Sequence, residues 1–148
     1  MYYLNKFLLK YLIYLSTASI YFNPDTLEDM LTEFRALNAA EEITGVLLYN
    51  YGQFLQFIEG SNKAINKLIK KIEKDKRHHS LVILETGPLT ERVFPDWSMS
   101  YRDISHVMIN NNEGYADALT LQLFTPLQLA HPLTSHLTAF VSKLRKSG

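Results

Sequence analysis

The sequence predicts an α+β domain with the ferredoxin-like order β-α-β-β-α-β and one further strand. Three features carry that expectation. Two apolar runs, residues 43–49 and 53–59, are joined by Asn50-Tyr51-Gly52 and read as a hairpin. Segments with apolar residues at helical spacing stand on either side of the hairpin. Short runs rich in β-branched or aromatic residues precede the first helix and follow the second.

The elements follow in order. Residues 11–16 read as a first strand, and residues 1–9 as an extension ahead of it. Asn23-Pro24-Asp25 ends a loop, and Asp25 with Glu28 stands at capping-box spacing, so a helix is expected to start there. Its stripe is Leu27, Met30, Leu31, Phe34 and Leu37, ending near Asn38. After the hairpin, Gly60-Ser61 is expected to break the strand, and Ser61 to cap a helix carrying Ile65, Leu68, Ile69 and Ile72. Residues 81–84 form a fourth strand closed by Gly87-Pro88, and residues 97–101 a short fifth. Two helices should cover one face of the mixed sheet. The hairpin strands are apolar at nearly every position, which implies burial on both faces. The tail supplies a cover for the second face. Residues 115–124 look weakly helical, and Pro132 stands like a first-turn proline ahead of Leu133, Leu137, Phe140, Val141 and Leu144. The chain thus divides into residues 1–9, a domain at 10–103 and a C-terminal helical extension at 104–148.

Composition removes several classes of function. At 148 residues and 47% apolar, the chain suits one domain with a real core. Fifteen basic side chains balance fifteen acidic ones, so the basic field needed to neutralise nucleic-acid phosphates is missing. There is no cysteine, which excludes disulfides and thiolate chemistry and suits a reducing, cytoplasmic location. Lys10 splits the apolar N-terminal run, leaving it too short for a signal sequence or a membrane span. His78-His79 lack helical ligand spacing and carboxylate or thiolate neighbours, which argues against a metal. The lysines at 70, 71, 74 and 76 read as a solvated helix end. No nucleophile elbow, phosphate-cradling glycine loop or dinucleotide fingerprint is present.

Three polar residues interrupt the apolar pattern. Asn38 continues the buried stripe of the first helix, Gln56 alternates with Phe54 and Ile58, and Tyr14 alternates with Leu12. Each has an ordinary explanation: a helix terminator, a paired core amide, a large core ring. Buried amides need their hydrogen bonds met, however, and three such groups from three elements suggest a shared polar ligand.

Several segments together resemble the BLUF domain, the family of blue-light sensors using FAD. They are residues 11–16, Asn38 ahead of Ile43-Thr44-Gly45, Phe54-Leu55-Gln56 with Glu59-Gly60, residues 75–78, and Phe94-Pro95-Asp96-Trp97-Ser98-Met99. The resemblance covers about residues 10–103. It implies a flavin ring between the two helices, FAD or else FMN. Tyr14 would be the photochemical electron and proton donor, Gln56 the switch between it and the flavin, and Asn38 an anchor for the ring edge. Lys71, Asp75, Arg77 and His78 would lie beside the ring and the cofactor's polar tail. Trp97 and Met99 would be the exchanging pair that passes the signal on. Two positions depart from the family pattern: Glu42 where glycine is usual, and Phe34 where a small polar residue is common. The resemblance also implies a short, stand-alone sensor without turnover of its own, signalling to a separate protein partner. Exposed tail surface favours self-association into a homo-oligomer. Two other readings fit the residues alone: a flavin-dependent or ferredoxin-like redox enzyme, and a cofactor-free ligand-binding or oligomerisation module.

Overall fold

The computed structural model describes residues 8–19, 23–96, 98–104, 135–137 and 139–140. The elements are β1 (Leu9–Ala18), α1 (Pro24–Ala40), β2 (Thr44–Asn50), β3 (Gln53–Ser61), α2 (Asn62–Lys74), β4 (His78–Leu89) and β5 (Ser100–Asp103). They build one sheet in the order β4-β1-β3-β2-β5. The β1–β3, β1–β4 and β2–β3 pairs are antiparallel, whereas β5 runs parallel to β2, which makes the sheet mixed. The ferredoxin-like arrangement with a fifth strand is the architecture found.

The hairpin forms because its turn residues tolerate left-handed backbone. Tyr51 and Gly52 both have positive φ, 42° and 87°, as a two-residue type I′ turn requires, and Asn50 pairs directly with Gln53. Gly45 is needed for a different reason. A Cβ there would stand 2.0 Å from the carbonyl oxygen of Phe57 on the paired strand, so no other residue lets β2 and β3 approach this closely.

The three central strands are buried on both faces. Leu12, Tyr14, Leu47, Tyr49, Phe54 and Ile58 face the helices, packing with Leu27, Met30, Leu31, Ile65 and Ile69. Tyr11, Ile13, Val46, Leu48, Leu55 and Phe57 face the other way, where Phe94, Ile104, Leu137 and Phe140 join them. Residues 135–137 and 139–140 are helical. This fragment therefore lies on the face opposite the two helices, where the tail was expected; the rest of the proposed 133–144 helix, and residues 115–124, lie outside the described residues.

Several boundaries differ from the sequence reading. Asn23, not Asp25, caps α1: its side chain accepts a hydrogen bond from Thr26 N at 2.8 Å, and Pro24 occupies the first helical position, where a missing N–H costs nothing. The strand expected to stop at Glu59 continues through Gly60, although Ser61 does cap α2, accepting from Ala64 N at 3.1 Å. β4 is 12 residues long and passes through Gly87-Pro88 rather than ending there. It is an edge strand, so one row of its backbone groups has no ladder partner and proline is tolerated. The same position leaves Val82, Ile83 and Leu84 exposed. β5 begins at Ser100 rather than at residue 97, so Met99 immediately precedes it.

Candidate functional site

Tyr14 on β1 and Gln56 on β3 are direct cross-strand partners, so their side chains share the helix-facing side of the sheet. The Tyr14 hydroxyl donates to Gln56 Oε1 in a short, buried hydrogen bond. Gln56 Nε2 donates in turn to the thioether sulfur of Met99 at 3.2 Å. A thioether only accepts, so this contact orients the amide with nitrogen toward Met99 and oxygen toward Tyr14. Burial, reinforced by the nearby Asp75 charge, raises the Tyr14 pKa well above that of a free phenol. The hydroxyl is therefore a held proton.

Above this pair, a cavity of about 200 Å³ opens between α1 and α2. Met30, Phe34 and Leu37 of α1 and Leu68 and Ile72 of α2 give it apolar walls, while Tyr14, Leu47, Phe54 and Gln56 come from the sheet. Asn38 lines it from the last turn of α1. The helix end holds Asn38 in place: Ile43 N donates to Asn38 O at 2.8 Å and Glu42 N to Ala39 O at 3.2 Å, the paired bonds of a Schellman motif. The Asn38 residue is buried, yet its side-chain amide makes no hydrogen bond to any described residue. An unpaired amide that lines a cavity is a group able to meet a ligand.

Lys71, Asp75, Arg77 and His78 line the same cavity from the α2–β4 junction. Asp75 ends α2, and its carboxylate accepts from Arg77 N at 2.9 Å and from the Arg77 guanidinium at 2.9 and 2.5 Å. Those donors hold the Asp75 pKa below the usual carboxylate value. Arg77 also lies over the Phe34 ring, 5.1 Å from its centroid, and 3.9 Å from Glu33, tying the junction to α1. His78 Nε2 is 2.5 Å from the Ile72 carbonyl, which can only accept, so that nitrogen carries the proton. Lys71 is exposed and forms no ion pair with a described residue, which leaves its charge available to an anion.

Seven of the residues singled out in the sequence thus line one cavity, and Met99 joins through Gln56; Trp97 lies outside the described residues. The set suits an isoalloxazine: apolar walls for the ring's faces, and an amide pair plus a phenol for its polar edge. A free lysine at the rim suits a phosphate. Among the described residues, no cluster of His, Asp or Glu could hold a metal, and no helix is long and apolar enough to cross a membrane.

The sequence reading gave no role to three side chains. Glu59 is fully buried on the opposite face of β3, accepting from Val93 N and Phe94 N at 2.7 Å and from Thr44 Oγ1 at 2.8 Å. Burial pushes its pKa up, and those donors pull it partly back. Arg92 bonds Thr44 Oγ1 at 2.9 Å and the Glu42 carbonyl at 2.7 Å, so the β4–β5 loop is fastened to the sheet. Arg35 reaches from α1 to the Met99 carbonyl. A charge inside an apolar run was a visible signal for Glu59; neither arginine had one.

Comparison with known proteins places the chain in a family. The chain is 34% identical over 101 residues to photoactivated adenylate cyclase subunit alpha of Euglena gracilis, covering 67% of this chain and 10% of that protein. It is 34% identical over 85 residues to the beta subunit of Euglena longa, covering 57% and 10%. The match therefore spans about a tenth of these relatives' length. Among solved structures, BlrB, a BLUF protein in its dark state, superposes with a TM-score of 0.67 at 30% identity, covering 88% of this chain and 96% of that one. Klebsiella pneumoniae BlrP1 with FMN and cyclic diGMP gives 0.74 at 28%, covering 90% and 34%. The model of the sensors of blue light using FAD matches residues 9–100, and the chain belongs to that family, BLUF.

Proposed function

We propose that this chain is a blue-light photoreceptor in which Tyr14 and Gln56 rearrange their hydrogen bonds reversibly beside a bound flavin and pass the change to a protein partner. The observation that supports it most is the Tyr14–Gln56–Met99 chain of contacts at the base of a cavity that the Asn38 amide also lines. A bound flavin would supply a ring that absorbs blue light and oxidises strongly once excited. Tyr14 is the donor in reach of that cavity, and its Oη proton already points at Gln56. Gln56 carries donor and acceptor on one planar group, so a half-turn of the amide exchanges them with no covalent bond broken, while tautomerisation exchanges them by moving one proton from Nε2 to Oε1. After the half-turn the amide meets Met99 with Oε1 in place of Nε2. Asn38 anchors the ring edge, and Lys71, Asp75, Arg77 and His78 serve the polar tail of FAD. FMN would satisfy the same ring cavity. The partner, reached through the segment holding Trp97 and Met99, turns over the substrate if any is turned over; the chain itself acts as the sensor.

The test is spectroscopic. Gln56→Leu keeps the strand's apolar face and roughly the volume, and Tyr14→Phe removes only the hydroxyl. Both variants should bind flavin and be yellow, and neither should give the reversible red shift that the parent shows under blue light. A parent-like shift in Gln56→Leu would sink the mechanism even for a flavoprotein. Yellow parent protein that only bleaches with reductant would favour a redox enzyme, and a parent that stays colourless after flavin supplementation a cofactor-free module.

A further inference from the structure

We propose that Arg35 is a positioning residue that clamps the backbone of Met99 and thereby sets how long the rearranged Gln56 amide persists. The inference rests on the reading in which Gln56 is the switch. Arg35 stands on α1 three residues before Asn38, and its Nε donates to the Met99 carbonyl at 3.1 Å. Its other charged contact, Glu28 at 3.9 Å, is an exposed pair and holds little. Met99 itself is buried, with its sulfur 3.2 Å from Gln56 Nε2. One residue is therefore gripped at its backbone by α1 and at its side chain by the amide.

The two grips oppose one another when Gln56 reorients. Rotation brings Oε1 to the sulfur, and both are acceptors, so the contact becomes repulsive and Met99 has to withdraw. With the carbonyl clamped, only the side chain can yield. Without the clamp, the backbone ahead of β5 can yield as well, and the rearranged state is penalised less. Loss of Arg35 should therefore lengthen that state. The size expected is about fivefold in recovery rate, the scale of one partly exposed hydrogen bond from a charged donor.

The experiment uses the full chain loaded with FAD, comparing the parent, Arg35→Gln, Arg35→Lys and Glu28→Gln. Recovery in the dark after a blue pulse is followed by absorbance, and amide hydrogen exchange at residues 98–104 is measured in the dark. Arg35→Gln should keep the red shift, recover several-fold more slowly and exchange faster at 98–104. Arg35→Lys should fall between it and the parent, and Glu28→Gln should match the parent in both. A purely structural role would alter stability or flavin occupancy and leave recovery alone. Recovery unchanged in Arg35→Gln, with the parent cycling normally, overturns the role of Arg35 only. A parent without a reversible shift overturns the switch reading and this role with it. Should Arg35→Gln fail to fold, recovery in Arg35→Lys equal to the parent's overturns the proposal in its place.

Discussion

Glu42 occupies a backbone position built for glycine, and replacing it should stabilise the protein. It follows the end of α1 with φ of 55°, at the C′ position of the Schellman motif. An L-residue with a Cβ costs about 1–2 kcal/mol in this left-handed region. Glycine escapes that cost but loses more chain entropy on folding, about 0.5–1 kcal/mol. The exposed Glu42 side chain makes no hydrogen bond or ion pair with a described residue, and the bond from Arg92 goes to its carbonyl, which any residue keeps. Glu42→Gly should therefore gain about 0.5–1 kcal/mol, or about 1–4 °C in Tm for a chain of this size. Glu42→Val should move the other way by about 1 kcal/mol or more, since a branched Cβ is worst where φ is positive. Urea unfolding of the two variants beside the parent, followed by far-UV circular dichroism, measures both signs. A less stable Glu42→Gly, or a Glu42→Val equal to the parent, would refute the reasoning.

Asn38→Ala should weaken flavin retention or shift the dark spectrum while the fold survives; equal occupancy and an unchanged spectrum would reject its binding role. Gly45→Ala forces a methyl to 2.0 Å from the Phe57 carbonyl oxygen, so β2 and β3 must separate, and a loss above about 4 kcal/mol is expected. Thermal unfolding like the parent's would contradict that. The Arg77 donors lower the Asp75 pKa, so their stabilisation is complete above the ordinary value of 3.8 and vanishes as acid titrates through the lowered one. Asp75→Asn should accordingly flatten the acid limb of stability against pH between about 5 and 2. Superimposable limbs for variant and parent would show that the pair contributes nothing.

Much of the fold was readable because its signals are local. The Asn50-Tyr51-Gly52 turn names its own geometry, and Ser61 caps the helix it precedes. The failures have physical causes. Asp25 and Glu28 imitate a capping box, while Asn23 followed by Pro24 is the better start, with its acceptor and its missing donor each in the right place. Gly87-Pro88 punctuates most chains, yet an edge strand forgives it. Tyr14, Asn38 and Gln56 stood out as polar groups on apolar faces, and each lines the cavity. Glu59 gave the same signal from the opposite face and was read only as part of a motif, without a role. Arg35 and Arg92 were illegible, since Arg35 reaches a backbone carbonyl 64 residues away and Arg92 a carbonyl and a hydroxyl 50 and 48 residues away, and no pattern in sequence encodes such a reach.

β5 is only four residues long, and its side chains alternate between the two layers of the domain. Met99, just before it, and Tyr101 pack among the helix-facing residues, whereas Ile104 sits with Leu137 and Phe140 beyond the sheet. Ile104 N is also bonded to the Tyr49 carbonyl at 2.8 Å, so the strand is pinned at its far end too. Sliding by one residue would turn every side chain over and carry Ile104 out of one core and Tyr101 out of the other. Sliding by two means a jump of about 6.6 Å. A slide of this edge strand therefore comes only in whole-residue steps, like a detent rather than a runner, and each step empties a place in the packing.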